Sequence, residues 1–228
     1  MKRISLILSF LLFAIPAGAA GDFQVWTEAG VRVKLAKKWR LKFDQHVRFD
    51  EFYDTGELGS YSRHSIIPEV AISYRVLRFL RLEAGCRYTD EILESQESAY
   101  HDPWVRFFFD ARLRYRLKPL NLRYRLRYQE QYGWPYRNDD DLLNRHTVRN
   151  KIGVEIKLAS GFVPFLSGEL FLRIDDPDGA WHKWRATAGL DWEIDSHVVT
   201  LFYRLEDMLD DSDDPNRHIL GIGYHYAF

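Results

Sequence analysis

Hydrophobic and polar residues alternate along most of this chain with a period of two. From Trp39 to Asp50 the sequence reads W-R-L-K-F-D-Q-H-V-R-F-D, and the same alternation returns between Val105 and Lys118 and between Leu120 and Tyr128. Successive side chains of a β-strand point to opposite faces, so each segment predicts a strand with one apolar face and one ionic face. The period therefore indicates an extended sheet with two chemically different surroundings.

Eleven segments have this character, and most exceed the ~9 to 11 residues that a tilted strand needs to cross a bilayer. Short turns and long polar loops alternate between them, which is typical of a bacterial outer-membrane barrel, so we predict an all-β fold, an antiparallel transmembrane β-barrel. Because single-chain bacterial barrels have even strand numbers, we expect ten or twelve strands. The alternative, a soluble β-sandwich, would not need so many strands of spanning length. The candidate strands are residues 22–36, 39–52, 63–76, 80–92, 104–117, 120–132, 145–158, 162–174, 181–194, 197–207 and 216–228.

The first twenty residues have the layout of a cleavable secretory signal. Lys2 and Arg3 precede an apolar stretch, which is followed by Pro16 and a run of small residues. We predict that residues 1–20 are a signal peptide and that residues 21–228 form one outer-membrane β-barrel domain. No later apolar run approaches the ~18 residues of a spanning helix, so membrane insertion is expected through strands.

Composition excludes several function classes and points to no particular partner. The chain has 32 basic and 33 acidic residues, and Cys86 is its only cysteine, so no intrachain disulfide is expected. No phosphate-binding glycine loop, cysteine–histidine metal motif or nucleic-acid signature occurs in the sequence. We therefore predict no cofactor and no nucleic-acid partner.

The face that the alternation directs inward carries more basic than acidic groups, above all in the hairpin around Pro119. Like charges across a sheet repel, so these arginines need carboxylates, water or an anion between them. Guanidinium groups bind carboxylates and phosphates through paired hydrogen bonds. We hypothesise a narrow path for small anionic solutes, and a lumen closed by arginine–carboxylate networks is the alternative. The candidate residues are Arg112, Arg114, Arg116, Arg123, Arg125 and Arg127.

The long loops carry a second cluster of candidate residues. Acidic runs occur at Asp139–Asp141, Asp175–Asp178 and Asp210–Asp214, and they favour a structural or ligand-binding role at the cell surface. Clustered carboxylates can bind Ca²⁺ or Mg²⁺, but none of these runs has the spacing of a twelve-residue calcium loop. The sequence therefore leaves metal binding open.

A third function, enzymatic modification of membrane lipid, depends on a few histidines. His146 and Asn150 share the outward face near a strand end, and His182 is expected on an outward face too. No serine stands beside them at a spacing that requires a catalytic triad. The sequence therefore predicts that the chain is not an enzyme.

The end of the chain is an alternating hydrophobic strand that places Tyr224, Tyr226 and the terminal Phe228 on one face. Such a strand resembles the signal that is read by the barrel-assembly machinery of Gram-negative outer membranes. This resemblance implies that machinery as a partner, together with outer-membrane lipid and lipopolysaccharide.

Several stretches are similar to a family of Gram-negative outer-membrane proteins that is catalogued only as a domain of unknown function. These stretches are R-Y-R-L-R-Y-Q-E-Q from Arg123, R-H-T-V-R-N-K-I from Arg145, F-V-P-F-L-S-G-E-L-F from Phe162, W-R-A-T-A-G-L-D-W from Trp184 and I-L-G-I-G-Y-H-Y-A-F from Ile219. The resemblance implies a barrel in the outer membrane, and it supplies no catalytic residues.

Overall fold

The computed structural model consists of β-strands joined by turns and loops. Among the described residues no helix has the length and apolar character needed to span a membrane. The strands are β1 Asp22–Lys34, β2 Trp39–Asp50, β3 Tyr53–Asp54, β4 Ser60–Arg75, β5 Leu80–Glu94, β6 Ala99–Leu117, β7 Leu120–Gly133, β8 Arg145–Ile156, β9 Phe162–Arg173, β10 Trp181–Ile194, β11 His197–Met208 and β12 Arg217–Ala227. The structure describes residues 22–50, 53–54, 60–94, 99–133, 145–158, 160–175, 181–209 and 216–228.

The strands close into a barrel. Each of β4 to β11 pairs with the next strand along the chain, β2 pairs with β4 and with β1, and β1 pairs with β12. All pairs in this ring are antiparallel except β1 and β12, which run parallel, with Asp22 opposite Arg217 and Arg32 opposite Ala227. The two-residue strand β3 only extends the hairpin with β4 and lies outside the ring.

The expectation of ten or twelve strands is wrong for the described chain, because its wall contains eleven. An even number follows only when every neighbouring pair is antiparallel. With an odd number, the first and last strands point the same way, and they close the ring through parallel hydrogen bonds. The eleven wall strands otherwise coincide with the eleven predicted segments, so the antiparallel β-barrel is confirmed apart from this seam.

The two rims of the barrel differ as the sequence predicts. We call the rim with the turns at 35–38, 76–79, 118–119 and 195–196 the short-turn end, and the opposite rim the long-loop end. Within the wall, Pro68 lies where the β4–β5 pairing is interrupted without a change of register, since Ile66 opposes Asp90 and Glu69 opposes Arg87. Pro68 is therefore unpaired on the β5 side, although it stands opposite Gln45 on β2, and it does not form a bulge. The predicted signal peptide lies outside the described residues.

The two faces of the wall have opposite chemistry. The outer face is apolar, and large side chains such as Phe43, Phe107 and Ile152 are at least half exposed there. The inner face is ionic, and carboxylates such as Asp44 and Asp110 are almost completely buried in it. The predicted directions of the apolar face and of the charged face are therefore correct for these residues.

Glycines on the inner face stand directly opposite inward phenylalanines on the neighbouring strand. The pairs are Gly85 with Phe108, Gly189 with Phe165 and Gly221 with Phe202. A Cβ atom at Gly85 would lie 2.5 Å from Phe108 Cζ and 2.5 Å from the backbone oxygen of Val70. Each ring therefore packs over the bare backbone of its partner glycine, as in other sheets where an aromatic residue covers a cross-strand glycine.

We expect the substitution Gly85→Ala to lower the free energy of unfolding by about 1–3 kcal/mol, because the added methyl group collides with a backbone oxygen that cannot move away. Urea unfolding of the refolded protein in detergent micelles measures this difference. Gly168→Ala is the matched control, since nothing lies within 4 Å of a Cβ atom there. Equal stability of the two variants would contradict the packing described here.

Candidate functional site

The lumen contains two cavities whose linings are mostly charged. The cavity at the long-loop end has a volume of about 660 Å³, and the cavity at the short-turn end has a volume of about 1030 Å³. Arg112, Arg125 and Lys151 line both cavities. These three side chains therefore lie where the two cavities meet, near the middle of the barrel.

One group of ion pairs at this middle level is centred on Asp110, whose side chain is fully buried. Arg127 donates to both carboxylate oxygens of Asp110, with distances of 2.6 Å from Nε to Oδ1 and 2.9 Å from Nη2 to Oδ2. Arg112 Nη2 donates to Asp110 Oδ2 at 2.8 Å and to Glu83 Oε1 at 2.6 Å. The Arg127 guanidinium also lies 3.9 Å from the ring centre of Phe108. This cluster fixes two arginines across β5, β6 and β7.

A second group is centred on Glu169, which is also almost completely buried. Arg125 Nη2 and Arg149 Nε donate to its Oε1 atom at 2.6 Å and 2.9 Å. Arg185 Nη1 lies 3.6 Å from Oε2, and Arg185 also pairs with Glu206. One carboxylate therefore faces three guanidinium groups, so this part of the lumen keeps an excess of positive charge.

Five cations stand directly opposite one another on successive strands. Arg75 on β4 opposes Arg81 on β5, and Arg81 opposes Arg112 on β6. Arg112 opposes Arg125 on β7, and Arg125 opposes Lys151 on β8. We call Arg75, Arg81, Arg112, Arg125 and Lys151 the cationic row. Directly paired like charges destabilise a sheet. Carboxylates offset this cost at Arg112 and Arg125, but among the described residues none lies within 4.0 Å of the charged groups of Arg75, Arg81 or Lys151.

The short-turn-end cavity is the most basic part of the described lumen. Its lining includes eleven basic side chains and only two acidic ones, Glu155 and Asp191. Glu155 pairs with Arg123 and lies 3.5 Å from Arg114 Nη2. Among the described residues, Arg116 and Lys151 have no carboxylate within 4.0 Å. This cavity therefore presents uncompensated positive charge to the short-turn end.

The six predicted path residues divide into two groups. Arg112, Arg125 and Arg127 belong to the ion-pair networks at the middle of the barrel, and Arg114, Arg116 and Arg123 line the short-turn-end cavity. The three arginines of the networks and the three arginines of the basic cavity thus lie at different depths of one lumen. Whether an anion passes along these residues stays a prediction.

The residues of the predicted assembly signal lie together at the short-turn end. Tyr226 and Phe228 contact each other edge to face with ring centres 4.5 Å apart, and Tyr224 and Phe228 are exposed on the outer face. The backbone N–H of Phe228 donates to the carbonyl oxygen of Arg32 on β1. The last strand is therefore paired up to the final residue, and recognition by the assembly machinery stays a prediction.

Other predicted residues have different outcomes. His182 is not on the outward face, because a register shift between Trp181 and Lys183 turns it toward the long-loop-end cavity. Of the acidic loops, Asp139–Asp141, Asp176–Asp178 and Asp210–Asp214 lie outside the described residues, so surface binding through them stays a prediction.

The sequence analysis did not find one cluster, in which the side chains of Glu28 and His225 lie 2.8 Å apart although 197 positions separate them in the chain.

A polar cluster lies on the outer face near the long-loop end. Tyr128 Oη donates to Glu130 Oε1 at 2.6 Å and lies 2.9 Å from His146 Nδ1. Tyr132 Oη donates to Glu130 Oε2 at 2.8 Å. We call Tyr128, Glu130, Tyr132 and His146 the outer-face cluster. His146 was singled out from the sequence, but its carboxylate partner was not, because the two belong to different strands.

We expect Asp110→Asn to lower the free energy of unfolding by about 3 kcal/mol or more, because Arg127 would remain buried without its countercharge. Glu155→Gln is the control, and its cost should stay near ~1 kcal/mol because its arginine partners are partly exposed. Urea titrations of both variants in detergent micelles measure these changes. An equal cost for the two substitutions would show that burial of the arginine does not set the energy.

Comparisons with known proteins agree on the fold. A search of curated proteins finds no relative that matches this chain. LpxR from Salmonella typhimurium has a similar structure with a TM-score of 0.53 at 7% identity, over 86% of this chain and 84% of that one. The β domain of the Bordetella autotransporter BrkA has a TM-score of 0.53 at 14% identity, over 87% of this chain and 86% of that one. At these identities the likeness concerns the fold alone.

The comparison also corrects one prediction. The prediction that the chain is not an enzyme is wrong as an exclusion, because LpxR is an enzyme with the same kind of barrel. The resemblance that the sequence indicated is confirmed by a family model that matches residues 23–218. The chain belongs to the family described as "Protein of unknown function (DUF2490)".

Proposed function

We propose that this chain is an integral barrel of the Gram-negative outer membrane whose basic, partly closed lumen passes small anionic solutes. The short-turn end faces the periplasm, and the long-loop end faces the cell exterior. The observation that carries the proposal is the cationic row, in which five basic residues oppose one another across β4 to β8. Carboxylates offset the repulsion at Arg112 and Arg125 but not at Arg75, Arg81 and Lys151, so a role in binding an anion accounts for the whole row better than a role in stability does.

The basic cavity at the short-turn end supports attraction of anions from that side. Low-dielectric walls focus the field of charges that line a cleft and raise the local concentration of ions of opposite sign. Arg114, Arg116 and Arg123 surround this entrance, and Arg125 and Lys151 lie at its inner end. An anion that enters therefore meets a basic side chain at each step toward the middle of the barrel.

The ion-pair networks explain why the path is narrow. Asp110 and Glu169 hold Arg112, Arg127, Arg125 and Arg149 in fixed positions across the lumen. Held in this way, the arginines keep spare N–H groups for a solute, since a guanidinium has five donors. The networks close the path to large solutes while they keep it basic for small ones.

We expect channels of the refolded protein to prefer chloride over potassium, and the double substitution Arg114→Glu and Arg116→Glu to lower this preference about tenfold. A change of only about 1.4 kcal/mol in the free energy of an anion at the entrance gives a factor of ten. Reversal potentials in planar bilayers under a potassium chloride gradient measure the permeability ratio. Lys37→Glu is the control, because Lys37 lies in a turn outside both cavities.

Two results would contradict the anion path. One is the absence of any conductance from protein whose β-structure and heat-modifiable migration show that it has folded. The other is an anion preference that the double variant leaves unchanged. An equal effect of Lys37→Glu would assign the preference to general surface charge and not to the cavity.

A second candidate function, chemistry on membrane lipid, is favoured by the outer-face cluster. Glu130 stands between Phe107 on β6 and His146 on β8, and the next outward position along its strand, Tyr128, opposes Phe109 and Val148. A carboxylate on the lipid-facing side of a barrel costs free energy that depends on its depth. Ionisable residues in such positions mark functional sites more often than structural ones.

Hydrogen-bond accounting gives His146 a defined role in this candidate. Tyr128 has one hydroxyl proton, and it donates that proton to the ionised Glu130. In the neutral imidazole, His146 Nδ1–H then donates to the hydroxyl oxygen, and this assignment of the tautomer leaves the lone pair on Nε2. His146 Nε2 is thereby oriented as a general base for water at the level of the outer lipid headgroups.

We expect His146→Ala to abolish any change in lipid composition that expression of the wild-type protein causes, because the base is removed. Mass spectrometry of outer-membrane lipids from cells that express each variant measures this. His197→Ala is the matched control, since His197 forms the same kind of pair with Tyr224 at the opposite rim, with 2.7 Å between Nδ1 and Oη. Identical lipid profiles for wild type, His146→Ala and a deletion strain would rule out the lipid candidate.

A further inference from the structure

The parallel seam of the barrel brings together side chains from three strands at one point of the inner wall. Gly30 on β1 stands directly opposite Asp44 on β2 and also opposite His225 on β12. A Cβ atom at Gly30 would lie only 2.3 Å from Asp44 Oδ1 and 2.5 Å from His225 Cδ2. The missing side chain therefore leaves a space into which Asp44 and His225 both lean.

The donor atoms around this space are close enough to share one ion. Glu28 Oε1 lies 2.8 Å from His225 Nε2, and Asp44 Oδ1 lies 3.7 Å from the same nitrogen. All three residues offer a ligand atom within 4.8 Å of the other two. Donor atoms in a tetrahedral site with bonds of ~2.0 to 2.1 Å are about 3.3 Å apart. The distances of 2.8 Å and 3.7 Å from the two carboxylates to His225 Nε2 lie on either side of this value.

Asp44 supplies an independent indication of a missing ligand. Its side chain is only 1% exposed, and among the described residues its Oδ1 atom has no hydrogen-bond partner. The other oxygen, Oδ2, is 2.5 Å from Lys42 Nζ, which fixes the orientation of the carboxylate. An unsatisfied buried carboxylate oxygen is costly, and here it points at an imidazole nitrogen and a second carboxylate.

Neighbouring groups provide the outer contacts that metal sites require. His46 Nδ1 lies 3.3 Å from Glu28 Oε2, the oxygen that does not face His225. Lys42 Nζ contacts Asp44 Oδ2, the oxygen that does not face His225, and it also contacts Glu69 Oε1 at 2.8 Å. Such contacts orient metal-binding carboxylates. Glu28, Asp44 and His46 all line the long-loop-end cavity, so a fourth position at the ion is accessible from the lumen.

The chemistry of the donors selects the class of cation. One imidazole with two carboxylates suits a first-row transition metal such as Zn²⁺, whereas Ca²⁺ and Mg²⁺ take oxygen ligands. Three protein ligands with one open position form the arrangement of zinc sites that bind water or a substrate. We propose that Glu28, Asp44 and His225 form a divalent transition-metal site that joins β1, β2 and β12 across the parallel seam.

Titration calorimetry with Zn²⁺ tests the proposal on the full mature chain, refolded in detergent and freed of metal by a chelator. The wild-type protein should bind one Zn²⁺ per chain, and Mg²⁺ at the same concentration should give no signal. Asp44→Asn keeps the shape of the side chain, and it should weaken binding at least tenfold. Glu193→Gln is the control, because Glu193 pairs with Lys157 away from the site. Loops and remaining histidines are unchanged in both variants.

A second measurement avoids dependence on one variant. Bound metal stabilises the folded chain by mass action, so Zn²⁺ should raise the urea midpoint of the wild type and of Glu193→Gln. The midpoint of Gly30→Ala, in which all ligands remain but the space is filled, should not respond to Zn²⁺. Glu28→Gln replaces Asp44→Asn if that variant does not show the heat-modifiable migration of a folded barrel. Absence of Zn²⁺ binding to the wild type, or unchanged binding in a folded ligand variant, would overturn the site and leave a histidine–carboxylate hydrogen bond in its place.

Discussion

The hydrogen bonds of the backbone are the constraint on which this structure depends. A strand surrounded by lipid has no water with which to pair its N–H and C=O groups, so a sheet in a membrane must close on itself. Eleven strands satisfy this requirement only if the first and last run in the same direction, and β1 and β12 do so along their whole shared length. The seam is therefore a direct consequence of the strand number.

Closure also dictates the chemistry of the interior. Because the apolar face of each strand points outward, the charged residues of the alternating pattern must share the confined space inside the barrel. Carboxylates such as Asp110 and Glu169 each hold two or more guanidinium groups, which makes the middle of the lumen rigid. The carboxylates are fewer than the cations there, so the same networks that stabilise the barrel leave it positively charged.

The sequence predicts the strands, their inward and outward faces and the basic hairpin around Pro119, because each of these is a local property with a period of two. It does not predict contacts that depend on register between distant strands. Nothing in the sequence joins Glu28 to His225 or aligns Arg75 with Lys151 through three intervening strands. The sequence also does not predict that His182 points inward, because a single register shift reverses the face on which a side chain lies.

The odd strand number has a consequence for the two ends of the barrel domain. Asp22 begins β1 at the long-loop end, whereas Phe228 follows β12 at the short-turn end. In the proposed orientation, a reporter fused ahead of Asp22 is displayed to the medium, and one fused behind Phe228 remains inside the cell envelope. A barrel with an even number of strands sends both its termini into the same compartment, so this fold can connect two compartments through a single polypeptide.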